Sequence, residues 1–190
     1  MTGAEERPPT VEAGPCTVEV TVNGKPSVVR TEARRSLVEV LRRDLGLTGT
    51  PAGCDTGACG SCTVLLDGEP VRSCLVLGVQ AAGALVETVE SLARPDGRLG
   101  PLQESFRRSF AVQCGYCTPG MLMLGTALLR AEPVPGRARI RDCVSANLCR
   151  CTGYQPVIDA IEAVAGSVPV GPPHVRRPDR FRTAPTGEGP

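Results

Sequence analysis

The chain has 190 residues, 41% apolar and only 3% aromatic, with 21 basic and 20 acidic side chains and a formal net charge of +1. That balance leaves no electrostatic footprint for nucleic acid, and with no Trp and so few aromatics there is no stacking platform for single strands. Ten cysteines against one histidine are the outstanding feature, and compartment decides how to read them.

The N-terminal MTGAEERPPTVEAGPC lacks both a basic-then-apolar signal and a twin arginine. No run reaches the ~18 apolar residues that span a bilayer. A cytoplasmic protein without direct membrane insertion is therefore expected. In a reducing compartment, clustered cysteines read as metal ligands or redox thiols before they read as crosslinks.

Residues 1–15 are polar and Pro-containing and read as a disordered leader. From Cys16, Val18, Val20 and Val22 alternate with Thr17, Glu19 and Thr21, the period of a half-buried strand. Asn23-Gly24 is a hairpin turn signal, with Ser27–Thr31 as the returning strand. In SLVEVLRRDLGL, Ser36 and Glu39 form a capping box, Leu37, Leu41 and Leu45 share a helix face, and Gly46 stops the helix. Thr63–Leu66 and Pro70–Cys74 flank Asp67-Gly68 as a second hairpin, and Ala84–Thr88 reads as a further short strand. Together these predict a small α+β domain over residues 16–92.

The rest is different in kind. Pro101–Phe110, Thr118–Leu129, Arg137–Val144 and Pro156–Ala165 read as short helices, with MLMLGTALL apolar enough to be buried on most sides. No strand pattern follows residue 92, so a separate all-α bundle is predicted over 93–168. Residues 169–190, with six prolines and four arginines, read as an extended tail, and His174 within it as neither base nor ligand.

Eight of the cysteines fall into two sets. In GCDTGACGSC (53–62), Cys54-x4-Cys59-x2-Cys62 followed by Cys74 has the plant-type [2Fe–2S] spacing. A loop around an anionic cluster must turn sharply and present bare N–H groups, which Gly53, Gly57, Ala58, Gly60 and Ser61 permit. A zinc ribbon would pair CxxC knuckles closer in sequence than 59/62 and 114/117, and a thioredoxin-like pair would need a βαβ setting. The second set is Cys114-x2-Cys117 ahead of the helix start Thr118-Pro119, then Cys149-Arg150-Cys151 in the turn between the third and fourth helices. That helix N-terminus aims partial positive charge at whatever the thiolates hold, and Arg150 adds more. Spacing alone leaves zinc open at this second set.

QCGYCTPGM (113–121) and NLCRCTGY (147–154), behind GCDTGACGSCTVLLDG (53–68), resemble the iron–sulfur subunit of the molybdenum hydroxylases. This is the family of xanthine dehydrogenase, aldehyde oxidoreductase and aerobic carbon monoxide dehydrogenase, and the resemblance covers roughly residues 16–168. It implies two [2Fe–2S] clusters: Cys54, Cys59, Cys62 and Cys74 holding one in a β-grasp, ferredoxin-like domain, and Cys114, Cys117, Cys149 and Cys151 holding the other in a four-helix bundle. It further implies that the second cluster lies nearer the molybdenum, with Gln113 beside the molybdopterin and Cys151 the nearest ligand. Single electrons would then pass from the molybdenum centre of a large partner subunit through both clusters to FAD on a medium subunit, or to another acceptor. The chain ends at 190 residues, so a separate small subunit of a heterotrimeric oxidoreductase is expected, with no catalytic residue of its own. Ala146 replaces a frequent family glycine, while Cys16 and Cys143 have no place in the pattern and read as buried small hydrophobes. The alternatives are a freestanding two-cluster ferredoxin and a zinc-binding adaptor.

Overall fold

A computed structural model describes residues 14–167. The calls on residues 1–13 of the leader and on the tail from 169, His174 included, lie outside it. Strand β1 (Pro15–Val22) begins inside the stretch read as leader and pairs antiparallel with β2 (Lys25–Glu32). Both residues of the Asn23-Gly24 turn have positive φ, 51° and 76°, so the turn follows the right-handed strand twist. Asp67-Gly68 does the same between β3 (Thr63–Leu66) and β4 (Glu69–Arg72), with φ of 50° and 84°. The sheet is completed by β5 (Leu85–Glu87), and its order is β2-β1-β5-β3-β4. β5 runs parallel to β1 and antiparallel to β3, which places the two hairpins on either side of one central strand.

The segment after Ser36 differs from the expected regular helix. Only Leu37–Glu39 (α1) is α-helical, and Val40–Asp44 continues as a wider π-type turn closed by Leu45 N–H donating to the Val40 carbonyl, 3.1 Å. Leu37 and Leu41 are still buried against Val18, Val20, Val64 and Val86, while Leu45 is only half-buried. The capping box is present in altered form. The Glu39 carboxylate accepts from both the N–H and the hydroxyl of Ser36, each at 3.1 Å.

The remaining helices are α2 (Pro101–Arg108), α3 (Thr118–Ala131), α4 (Arg137–Ser145) and α5 (Gln155–Glu162). No strand follows β5 among the described residues. A second core forms around Phe106, Met121, Leu128, Ile140, Val144, Val157 and Ile161, with Val89 and Leu92 of the joining 3-10 turn against it. α2 ends two residues earlier than expected because Phe110 turns to φ 53° and leaves the helix. α3 also lies against β3 and β4, and Arg130 on α3 makes a two-pronged ion pair with Glu87 on β5, 2.8 and 2.9 Å. The sheet and the helices are therefore locked together along α3.

Candidate metal centres

The first cysteine set is assembled by the β3–β4 hairpin. Cys62 stands immediately before β3, and the register Thr63↔Arg72 brings Ser73 and Cys74 back beside it. Ser73 fastens the crossing: its N–H (3.3 Å) and hydroxyl (2.7 Å) both donate to the Cys62 carbonyl. Cys74 lies in the turn just past β4, not in the strand as expected. That turn is held by α1, where Val38 N–H donates to the Ser73 carbonyl (3.2 Å) and Leu37 N–H to that of Val76 (2.6 Å). At the other end Thr63 donates through both N–H (3.1 Å) and hydroxyl (2.6 Å) to the Gly60 carbonyl.

Within this frame the sulfurs come together in pairs. Cys54 is in hydrogen-bond reach of Cys59, and Cys74 of Cys62. The Thr56 hydroxyl, followed by the N–H groups of Cys59 and Thr56, draws the Cys54 thiol down to about 6. Burial, then the crowding Cys62 sulfur, pushes the Cys74 thiol up to about 11. Asp55 (φ 53°) and Gly57 (φ 75°) turn the loop so tightly that a Cβ on Gly57 would overlap the Leu75 side chain.

The second set joins a helix start to a distant turn. Cys117 is buried at the N-cap of α3 and Cys114 is exposed just before it, while Cys149 is half-buried and Cys151 exposed between α4 and α5. Here too the sulfurs pair, Cys117 with Cys149 and Cys114 with Cys151. Burial, then the Cys149 contact, pushes the Cys117 thiol up to about 12. The Cys114 sulfur holds Cys151 above its ordinary value. Burial also acts upward on Cys149, but the Thr152 hydroxyl (3.1 Å) and N–H (3.4 Å) on its sulfur outweigh it, so that thiol falls.

The donor chemistry fits a two-iron cluster at each place. Thiols meeting thiols, several resisting ionisation because they are desolvated and crowd one another, make a set that bound cations would relieve. Backbone and hydroxyl donors already face the sulfurs of Cys54 and Cys149, as an anionic core requires. Among the described residues no three His, Cys, Asp or Glu side chains converge on a single-ion position.

The two loops also touch. Leu148 N–H donates to the Cys59 carbonyl (2.8 Å), Arg72 to the Ala146 carbonyl (2.8 Å) and the Tyr116 hydroxyl to the Ala52 carbonyl (2.8 Å). Asn147, 0% exposed, donates from Nδ2 to the Cys117 carbonyl, 3.1 Å. Tyr154, in a left-handed conformation at φ 67°, accepts from Cys149 N–H (2.8 Å) and donates to the Asn147 carbonyl (3.0 Å). Gln113 and Arg150 are exposed beside the second set. Ala146 is right-handed at φ −69°, so the turn makes no demand for glycine there. Cys16 and Cys143 are half-buried, not fully buried as expected; their sulfurs donate to the carbonyls of Thr31 (3.3 Å) and Leu124 (3.6 Å). Sequence reasoning passed over Thr56, Thr152, Tyr154, Asn147 and Arg72. Thr152 and Tyr154 carried a local signal, close behind Cys149; the placing of Arg72 and Asn147 depends on the fold.

Two family models match in tandem, a "2Fe-2S iron-sulfur cluster binding domain" over residues 20–86 and a "[2Fe-2S] binding domain" over residues 88–162. The fold and sites thus define a two-cluster iron–sulfur protein. The small subunit of nicotine 6-hydroxylase from Paenarthrobacter nicotinovorans is 48% identical over 151 residues, covering 80% of this chain and 90% of that one. Subunit beta of the 6-hydroxypseudooxynicotine dehydrogenase complex from the same organism is 54% identical over 142 residues, covering 74% and 88%. Among solved structures, quinoline 2-oxidoreductase from Pseudomonas putida 86 matches with a TM-score of 0.78 and 51% identity, over 80% of this chain and 93% of that one. The chain belongs to the family of small iron–sulfur subunits of the molybdenum hydroxylases. Among the described residues no helix is long and apolar enough to cross a membrane.

Proposed function

We propose that this chain is the electron-relay subunit of a molybdenum-containing hydroxylase or dehydrogenase, carrying single electrons from a molybdopterin-bearing large subunit towards an FAD-bearing medium subunit. Cys54, Cys59, Cys62 and Cys74 hold one [2Fe–2S] cluster in a β-grasp domain, residues 16–92. Cys114, Cys117, Cys149 and Cys151 hold the other in a four-helix bundle, residues 93–168, where α2, α3, α4 and α5 pack in a ring of neighbours around one core. When bound, each cluster supplies a one-electron redox centre whose potential follows burial, charge and hydrogen bonds to sulfur.

The observation that carries this reading is the meeting of sulfurs in pairs, Cys54 with Cys59 and Cys62 with Cys74 at one place, Cys117 with Cys149 and Cys114 with Cys151 at another, with the two loops joined by the Leu148–Cys59 hydrogen bond. The chain's own residues orient and shield. Ser73, Thr63 and α1 fix the first set, and Asn147 and Tyr154 fix the second. Cys114 and Cys151 are exposed, as are Gln113, Phe110 and Val112 just ahead of Cys114 in the chain, which suits a partner that brings a pterin close to a ligand sulfur. The relatives named are subunits of multi-chain enzymes, which favours this reading over a freestanding ferredoxin. A cytoplasmic heterotrimer is the setting we propose.

The test is metal and EPR analysis of anaerobically purified protein. About four iron and four acid-labile sulfide per chain, with two distinct reduced-state signals, is the expected result. Zinc at either site, or a single signal, overturns it.

A further inference from the structure

The two cysteine sets meet along a seam where Gly120, on the first turn of α3, faces Gly60 of the first loop. A Cβ on Gly120 would overlap Asn147 Nδ2 and stand 2.6 Å from the Gly60 carbonyl oxygen and 3.0 Å from Ser61 Cα. A Cβ on Gly60 would overlap the Ala146 carbonyl oxygen and stand 2.9 Å from Asn147 Cα. Backbone therefore lies against backbone here, with the Asn147 side chain packed into the same contact. Glycine weakens a helix relative to alanine, so Gly120 is a local cost that only this close approach explains. Arg72, 74 residues away in sequence, closes the same seam by donating to the Ala146 carbonyl. Asn147 is wholly buried in it, its Oδ1 without a hydrogen-bond partner, so its amide is placed by the junction and not by full satisfaction of its own polar groups.

We propose that Gly120 and Gly60 are positioning residues for electron exchange between the two sites, and that Arg72 clamps the separation they allow. This rests on the two-cluster reading above. The exchange moves one electron, leaving one centre oxidised and the other reduced by one electron, with no bond made or broken. Its rate falls exponentially with separation, so a methyl group wedged into the seam slows it while both sets of four thiols stay whole.

The experiment uses the full chain with both clusters loaded, and reads the spin coupling between the fully reduced centres and the rate of electron redistribution after partial photoreduction. Gly120→Ala is expected to keep both EPR signals, weaken the coupling and slow redistribution. Arg72→Met, which adds no bulk to the seam, is expected to act in the same direction and serves if Gly120→Ala does not fold. Gly125→Ala is the control, because its Cβ would first meet Ile161 and Leu102, 3.2 Å away in the helical core. It is expected to lower stability and leave coupling and rate unchanged. Unchanged coupling and rate in Gly120→Ala or its substitute, with both signals present, overturn the proposal, as does an equal effect in Gly125→Ala. Absence of one signal from the unmodified chain overturns the two-cluster reading instead.

Discussion

At the scale of single residues, the cysteines divide by what touches their sulfurs. Cys54 is reached by the Thr56 hydroxyl and two N–H groups, whereas Cys74 is half-buried and Cys117 buried, each against another sulfur. In iron-free protein whose circular dichroism matches the loaded form, Cys54 is a thiolate above about pH 6. Cys74 and Cys117, pushed up to about 11 and about 12, stay protonated at pH 8. Alkylation followed by peptide mass spectrometry should therefore label Cys54 from pH 6 upwards and leave the other two unmodified until far higher pH; equal labelling of all three at pH 8 contradicts this. In loaded protein, Cys59→Ser should alter the signal of the first site alone and Cys117→Ser that of the second alone. An unchanged pair of signals in Cys117→Ser would show the thiols to be wrongly divided between the sites.

At the scale of elements, each cysteine set depends on a different support. The first is held by a hairpin whose turn residues, Asp67 and Gly68, were legible because only a few residue types accept that backbone. The second depends on α3 and the α4–α5 turn, so it depends on the helical core. Phe106, 1% exposed, belongs to that core and not to the one beneath the sheet. Phe106→Ala should cost about 3–5 kcal/mol in a denaturant melt, and on titration with denaturant the signal of the second site should fade before that of the first. The alternating valines of β1 were legible in the same way, as a local periodicity, and α3 as a nearly continuous apolar run. The π-type turn after Glu39 was not. Leu37, Leu41 and Leu45 suit a regular helix equally well, and no local spacing records that the chain widens after Glu39.

At the scale of the whole molecule, the two cores are joined along α3 as well as through the loop contacts. The Arg130–Glu87 pair joins α3 to β5 with both side chains about four-fifths buried, 23% and 21% exposed. Its worth lies between that of a surface pair and a fully buried one, so Arg130→Ala should destabilise by about 1–2 kcal/mol. A double-mutant cycle with Glu87→Gln measures it, and additive single effects would show that the pair is not what couples the halves. Loss of the pair should also weaken cooperativity between the halves, read as a separation of the two signals' denaturation midpoints.

Taken alone, the sequence determined the short-range chemistry: the spacing of Cys54, Cys59 and Cys62, the small residues around them, the two hairpin turns, the helix starts and the resemblance carried by QCGYCTPGM and NLCRCTGY. These are legible because each rests on residues a few positions apart. Only the tertiary structure decided which sulfurs meet, that β5 lies parallel to β1, and that Gly60, Gly120, Arg72 and Asn147 bring the two loops into contact. Those facts depend on residues tens of positions apart whose meeting is set by how the sheet and α3 pack, and no local pattern records it.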